Sequence, residues 1–366
     1  MRNESRLPRK SLFFIIETKG RVRAMKTYAI WTIGLSILLC LTGCSTGALE
    51  AGGSRTTTQK GEWETERAAS QNDTNISQGP FDIHTNIDDV ISDPVFADYE
   101  RLLFPIDDGY YSGDTLGDLR LVWYNNIDPL KTVEIVNTLW QRAHDGETVF
   151  YDIYSAEEKA ADPDKENTGL FFFRGNPGEK FAICNAGGGF AYVGAMQDSF
   201  PHALEISKQG YNAFVLIYRP GAQTACEDLA RAIRFIFEHA DELQVDTDCY
   251  SLWGGSAGAR MAAWLGSYGP SAFGEDNLPR PGAVIMQYTG LSDFTENDPP
   301  TFACVGESDG IANWRVMQRR LQALSDLGIP TEFHHYPGLP HGFGLGTGTS
   351  AGGWLDQAVA FWKEQM

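Results

Sequence analysis

The stretch Cys249-Tyr250-Ser251-Leu252-Trp253-Gly254-Gly255-Ser256-Ala257-Gly258 decides how this chain folds. Its first half, Cys249–Trp253, reads as a buried strand, and Ala257–Leu265 reads as a helix. Between them lies Gly254-Gly255-Ser256-Ala257-Gly258. A serine on so sharp a strand-to-helix turn is forced outward at the carboxyl edge of a sheet. Small neighbours are required because the turn crowds the backbone against adjacent elements. The new helix also points its free N–H groups at the serine. The five letters alone leave an ordinary glycine-rich turn open, so the reading depends on what surrounds them.

Upstream, Gly187-Gly188-Gly189-Phe190 follows the apolar strand Phe181–Asn185. Backbone N–H donors that serve an oxyanion must approach it without side chains in the way, and glycines after a strand permit this. A phosphate-binding glycine loop is disfavoured, because neither G-x-G-x-x-G spacing nor a P-loop lysine is present. Downstream, His341-Gly342-Phe343-Gly344 follows the strand Thr331–Tyr336, and Asp309 follows the strand Thr301–Val305. A serine hydroxyl is a weak nucleophile and needs a base. His341 is suited to that task near neutral pH, and Asp309 would orient it. His334 and His335 lie within a strand and are expected to alternate between core and surface. Asp293 and, more weakly, Glu307 compete with Asp309 for the acid. Tyr288 and Phe343 are candidate pocket walls, with core packing favoured for each.

From residue 148 onward, strands alternate with helices. After the pair Val149–Tyr154 and Leu170–Arg174 come strands Phe181–Asn185, Ala213–Tyr218, Cys249–Trp253, Ala283–Gln287, Thr301–Val305 and Thr331–Tyr336. The helices lie near 200–208, 226–240 and 257–265, through Val316 to Gly328, and at 355–362. This order predicts an α/β fold: a mostly parallel central sheet with helices on both faces. Residues 81–147 precede it. There Asp128 caps and Pro129 opens a helix through Val133, Val136, Leu139, Trp140 and Ala143, with Gly146 at its end. This segment is expected to pack on the main domain, and walling the site is the other role open to it.

The N-terminus reads as an address. Lys26 precedes the apolar run Ala29–Leu39, which leads into Leu41-Thr42-Gly43-Cys44. A basic flank, a short apolar stretch and small residues before a cut make a secretory signal, too short for a comfortable span. Leu41-Thr42-Gly43-Cys44 resembles the bacterial lipobox, which implies a signal peptide over 1–43, acylation of Cys44 and export to the outer face of a membrane. Residues 1–24 fit an over-long gene start ahead of Met25. Residues 44–80, rich in Gly, Ser, Thr, Asn and Gln, read as a flexible tether. The formal net charge is -19, and the first 43 residues carry +6, so removing them leaves -25. A surface that acidic repels phosphate backbones, which excludes nucleic acid as the natural partner. Cys184, Cys226, Cys249 and Cys304 show no metal-ligand spacing.

The order Ser256, Asp309, His341 resembles that of the α/β-hydrolase superfamily over roughly residues 148–366. Within it, Ile183–Phe190, Phe214–Arg219 and Asp228–Arg234 resemble the acetyl-esterase and acetylxylan-esterase-like group. That resemblance implies Gly188, Gly189 and Ala257 as the oxyanion donors. It also implies hydrolysis of short-chain carboxylic esters through an acyl-serine, with acetylated carbohydrate as a candidate substrate. No metal, organic cofactor or obligatory protein partner is implied. The sequence departs from the pattern at Ala186, where related lipases carry histidine, at Gly255, and at Arg260, where a small side chain or histidine is usual. A serine peptidase of the same fold and a binding protein that has lost catalysis stay open as alternatives.

Overall fold

The computed structural model describes residues 79–104, 109–122 and 126–366. The signal peptide, Cys44 and nearly all of the tether lie outside the described residues. All described residues fall within one unit, Ala69–Met366.

Eight strands form the main sheet. In chain order the strands are β1 (Tyr111–Ser112), β2 (Arg120–Leu121), β3 (Phe150–Tyr151), β4 (Gly169–Phe173), β5 (Lys180–Asn185), β6 (Asn212–Ile217), β7 (Asp246–Gly255), β8 (Ala283–Gln287), β9 (Thr301–Gly306) and β10 (Thr331–Tyr336). The sheet order is β10-β9-β8-β7-β5-β6-β4-β3, and β1 and β2 form a separate antiparallel pair. From β10 to β6 every pairing is parallel, while β4 runs antiparallel to both β6 and β3. This is the mostly parallel central sheet expected from the alternation.

Burial explains the strand compositions. Gly169-Leu170-Phe171-Phe172-Phe173 and Asn212–Ile217 are buried at every position. Such continuous apolar runs mark strands covered on both faces. The covering helices include α6 (Phe200–Lys208), α7 (Ala222–Glu238), α9 (Ala257–Tyr268), α10 (Trp314–Asp326) and α11 (Trp354–Lys363), counting the shorter α1 (Ile87–Ile91), α2 (Glu100–Leu103), α4 (Ala156–Ala161), α5 (Ala195–Asp198) and α8 (Ala240–Leu243) in the numbering, with α3 (Pro129–His144) before the main sheet. Asp128 caps α3 as expected, its Oδ1 accepting from the amides of Leu130 and Lys131.

The segment before the sheet is less helical than expected, since it also contains the β1–β2 hairpin. Its apolar residues, among them Val90, Phe96, Leu116 and Leu139, belong to the same core as the sheet. The hairpin reaches the carboxyl edge. Tyr110 stacks on Tyr192 at 4.4 Å, and the Tyr111 hydroxyl donates to the Val193 carbonyl at 2.8 Å.

Because β5, β7, β8, β9 and β10 are parallel neighbours, the loops leaving them gather on one edge. Strand order reverses around β5, where β6 lies on one side and β7 on the other. Such a switch point opens a crevice at the carboxyl ends, the usual binding place in open α/β sheets.

Candidate active site

Ser256 sits between β7 and α9 with φ 51° and ψ -109°. A non-glycine residue there is strained, by about 1–3 kcal/mol, and such strain persists only where the surroundings impose it. The impositions are visible. The Ser256 amide donates to the Gln287 carbonyl at 3.0 Å, fixing the turn to the end of β8. A Cβ on Gly254 would strike the Gly258 backbone, and one on Gly258 would strike Asn185. Gly254 and Gly258 are therefore forced by backbone crowding, as the sequence suggested, whereas a Cβ on Gly255 would meet the side chains of Asp198 and Tyr288.

The structure brings the three expected side chains together. The Ser256 hydroxyl lies 3.1 Å from His341 Nε2, and His341 Nδ1 lies 2.7 Å from Asp309 Oδ2. A carboxylate only accepts, so Nδ1 carries the proton and Nε2 is left to accept from the serine. Asp309 is fully buried at its side chain. Its Oδ1 accepts from the amides of Ile311 and Ala312 at 2.8 and 2.7 Å, which locks the carboxylate in place. The competing acids sit elsewhere. Glu307 pairs with His335, and Asp293 is exposed, its carboxylate accepting from the Ser292 hydroxyl at 3.4 Å. His334 pairs with Glu332 at 2.6 Å.

The glycine loop faces the serine. A Cβ on Gly187 would lie 3.1 Å from that of Ser256. Gly188 and Gly189 have φ of 135° and 62°, and a Cβ on Gly188 would collide with the Tyr192 carbonyl. Among the described residues no acceptor pairs with the amides of Gly188, Gly189 or Ala257. The Gly187 amide, in contrast, is taken by Asp198 Oδ2 at 3.0 Å.

Asp198 is the site residue that sequence reasoning missed. It is buried at the end of α5, and its Oδ1 accepts from the Tyr288 hydroxyl and, at 3.4 Å, from Gln197. Burial pushes its carboxyl up, opposed by the Tyr288 hydroxyl and the Gly187 amide. Tyr288 stands edge-on to His341 at 4.9 Å and to Phe343 at the same distance. Asp198 thus ties the glycine loop to the aromatic wall behind the histidine. Tyr288 and Phe343 are both buried, as core packing requires, yet Tyr288 also touches His341. Gln197 and Asn126 both donate to the Gly342 carbonyl, at 3.2 and 2.6 Å, and hold the histidine loop.

Among the described residues no group of three His, Cys, Asp or Glu is placed to hold a metal ion. Cys184, Cys226 and Cys304 are buried free thiols and Cys249 is a half-buried one. Burial pushes the Cys184 and Cys304 thiols up, away from the reactive thiolate.

Parts of the chain are similar to known proteins. Residues 178–299 match the family model BD-FAE, a span that holds the glycine loop and Ser256. The chain is similar to endo-1,4-beta-xylanase B of Butyrivibrio fibrisolvens, at 26% identity over 196 residues, covering 42% of this chain and 31% of that protein. The match therefore spans about a third of that curated relative. Among solved structures, the acetyl ester-xyloside bifunctional hydrolase of Caldicellulosiruptor lactoaceticus superposes with a TM-score of 0.53 at 20% identity, over 59% of this chain and 95% of that one. An esterase of Thermogutta terrifontis gives a TM-score of 0.47 at 20% identity, over 54% of this chain and 87% of that one. By its sheet order, its elbow and the likeness to the Caldicellulosiruptor lactoaceticus structure, the chain has an α/β-hydrolase fold, and residues 178–299 of it are similar to the BD-FAE family.

Proposed function

We propose that the protein is a serine hydrolase that cleaves short-chain carboxylic esters, with acetyl groups on carbohydrate as the favoured substrate class. The observation that carries this reading is the unbroken chain from Ser256 through His341 to Asp309, at 3.1 and 2.7 Å, behind a strained serine. The carbohydrate side draws support from relatives named as a xylanase and an acetyl ester-xyloside hydrolase.

In the proposed cycle, Ser256 Oγ attacks the ester carbonyl while its proton passes to His341 Nε2. Asp309 accepts the Nδ1–H bond and stabilises the imidazolium. Charge developing on the carbonyl oxygen is met by the amides of Gly188, Gly189 and Ala257, the donors that the resemblance implies. Collapse returns the proton from His341 to the departing alcohol and leaves an acyl-Ser256. Water, activated by the same histidine, then frees the acid.

Segment lengths set the expected substrate size. Residues between Tyr288 and Thr301 are few, and no long apolar insertion follows a catalytic strand. A small pocket gains about 0.8 kcal/mol per buried methylene only until it is full. The test is kcat/KM across 4-nitrophenyl esters from acetate to palmitate. Acetate to butyrate should be turned over far better than the long chains, and a rise toward palmitate would identify a lipase instead. We further propose export as a lipoprotein held by Cys44, since two acyl chains anchor stably where one does not. Lipid labelling that persists in Cys44→Ser would contradict that placement.

A further inference from the structure

One stripe of α9 stands apart from the rest of the helix. Every residue from Ala257 to Ser267 is buried except Arg260 and Trp264, and Tyr268 at the helix end is also half-buried. With Ser256, itself half-buried, these positions recur every fourth residue. They therefore form a single line leading away from the nucleophile. Helical side chains lean toward the helix N-terminus, which turns Arg260 back toward Ser256.

Arg260 has no carboxylate partner among the described residues, although the chain is strongly acidic. Its Nε donates to Thr289 Oγ1 at 3.3 Å, just beyond the end of β8. That bond aims the guanidinium, and among the described residues no acceptor takes its terminal N–H groups. Space remains beside them. A Cβ built on Gly290 would meet nothing closer than 4.0 Å, and its two nearest atoms are Arg260 Nη2 and Ala312 Cα. One turn further along, Trp264 stacks on Phe190 of the glycine loop, with centroids 6.0 Å apart and planes at 12°. A planar cationic fork beside an aromatic pair, both lined up from the nucleophile, matches a sugar that bears a carboxylate. The fork suits two carboxylate oxygens, and an indole face suits the C–H face of a pyranose.

We propose that Arg260 and Trp264 form a subsite for an acidic sugar unit of the substrate, with Arg260 as the carboxylate anchor. This rests on the esterase reading above and adds the alcohol-side specificity. In free Ser256→Ala protein, an acetylated methyl glucuronoside should bind at least about tenfold more tightly than the acetylated methyl glucoside, ~1.4 kcal/mol. Calorimetry reads this without turnover. Arg260→Gln in the same background should bring the ratio to about one. Arg260→Lys should keep part of it, since charge survives and the fork does not. The Ser256-intact enzyme should show the same ratio in kcat/KM. Equal binding of the two sugars, or a preference that survives Arg260→Gln, would overturn the subsite. A preference seen only for 4-nitrophenyl hydrogen glutarate over the butyrate would place the anion on the acyl side and overturn the sugar assignment. Hydrolysis of 4-nitrophenyl acetate, and its loss in Ser256→Ala, reports separately on the esterase reading, so the two can fail independently.

Discussion

Two buried carboxylates, Asp309 and Asp228, are tied into this fold in opposite ways. Asp309 binds two amides through one oxygen and His341 through the other, and the line then runs out to the half-buried Ser256 hydroxyl. Asp228, on α7, closes on itself. Its Oδ1 accepts from Arg219 Nη2 at 2.7 Å and from the Tyr154 hydroxyl at 2.9 Å, and its Oδ2 accepts from the Arg219 amide at 2.9 Å. The guanidinium then lies over the Tyr154 ring at 5.3 Å. An acid that ends on an imidazole and a half-buried hydroxyl can move a proton. An acid that ends on a permanently charged guanidinium cannot, and it clamps the end of β6 and α7 to the residues after β3. Both acids were prominent in the sequence, in Gly306–Gly310 and in Asp228–Arg234. Only the partner at the far end separates a site from a staple.

The largest effect should follow from opening the first line at its end. Ser256→Ala should lower kcat by about 10³-fold or more while the protein stays folded. Ser256→Gly should be equally inactive yet about 1 kcal/mol more stable, because glycine relieves the positive φ. Near-normal turnover by Ser256→Ala would show that the strained serine is an ordinary turn. At the other end of the line, Asp309→Asn should cost about 10²–10⁴-fold in kcat through the wrong imidazole tautomer. Asp293→Asn should change it less than about threefold, and the reverse ranking would move the acid one strand earlier.

Breaking the staple should instead cost stability. Asp228→Asn leaves the Arg219 guanidinium, in a nearly closed setting, with Asp162 at 3.2 Å as its remaining carboxylate partner, and loss of up to about 3 kcal/mol is expected in denaturant unfolding. Activity per folded molecule should hold within a few-fold. A large fall in kcat with unchanged stability would give Asp228 a part in the chemistry.

How much of this was legible follows from where the partners lie in sequence. The elbow, the glycine loop and the α3 cap are local patterns, so their residues announce themselves. The triad was readable because each member follows a strand of one parallel sheet, whose edge gathers the loops. Asp198 was not readable, because its partners Gly187 and Tyr288 lie 11 and 90 residues away and its own four-residue helix carries no signal. The β1–β2 hairpin escaped for a similar reason, since two-residue strands leave no alternation to detect.

A smaller effect is expected from a histidine outside the site. His202 on α6 is buried edge-on to Trp354 at 5.3 Å, and burial lowers its folded-state value to about 3. Between that value and the unfolded value near 6.5, the unfolded chain binds the extra proton. Stability should therefore fall as pH drops below about 6.5, and His202→Phe should flatten that slope. Thermal unfolding of both proteins from pH 7 to 4.5 reads the difference. An identical slope in the variant would remove His202 as a cause.

The central claim is that Ser256 is an activated nucleophile, and a fluorophosphonate probe tests it most directly. The account predicts one stoichiometric adduct, mapped by mass spectrometry to the peptide containing Ser256, with labelling lost in His341→Ala. A protein that stays unlabelled, or that labels elsewhere, would contradict it.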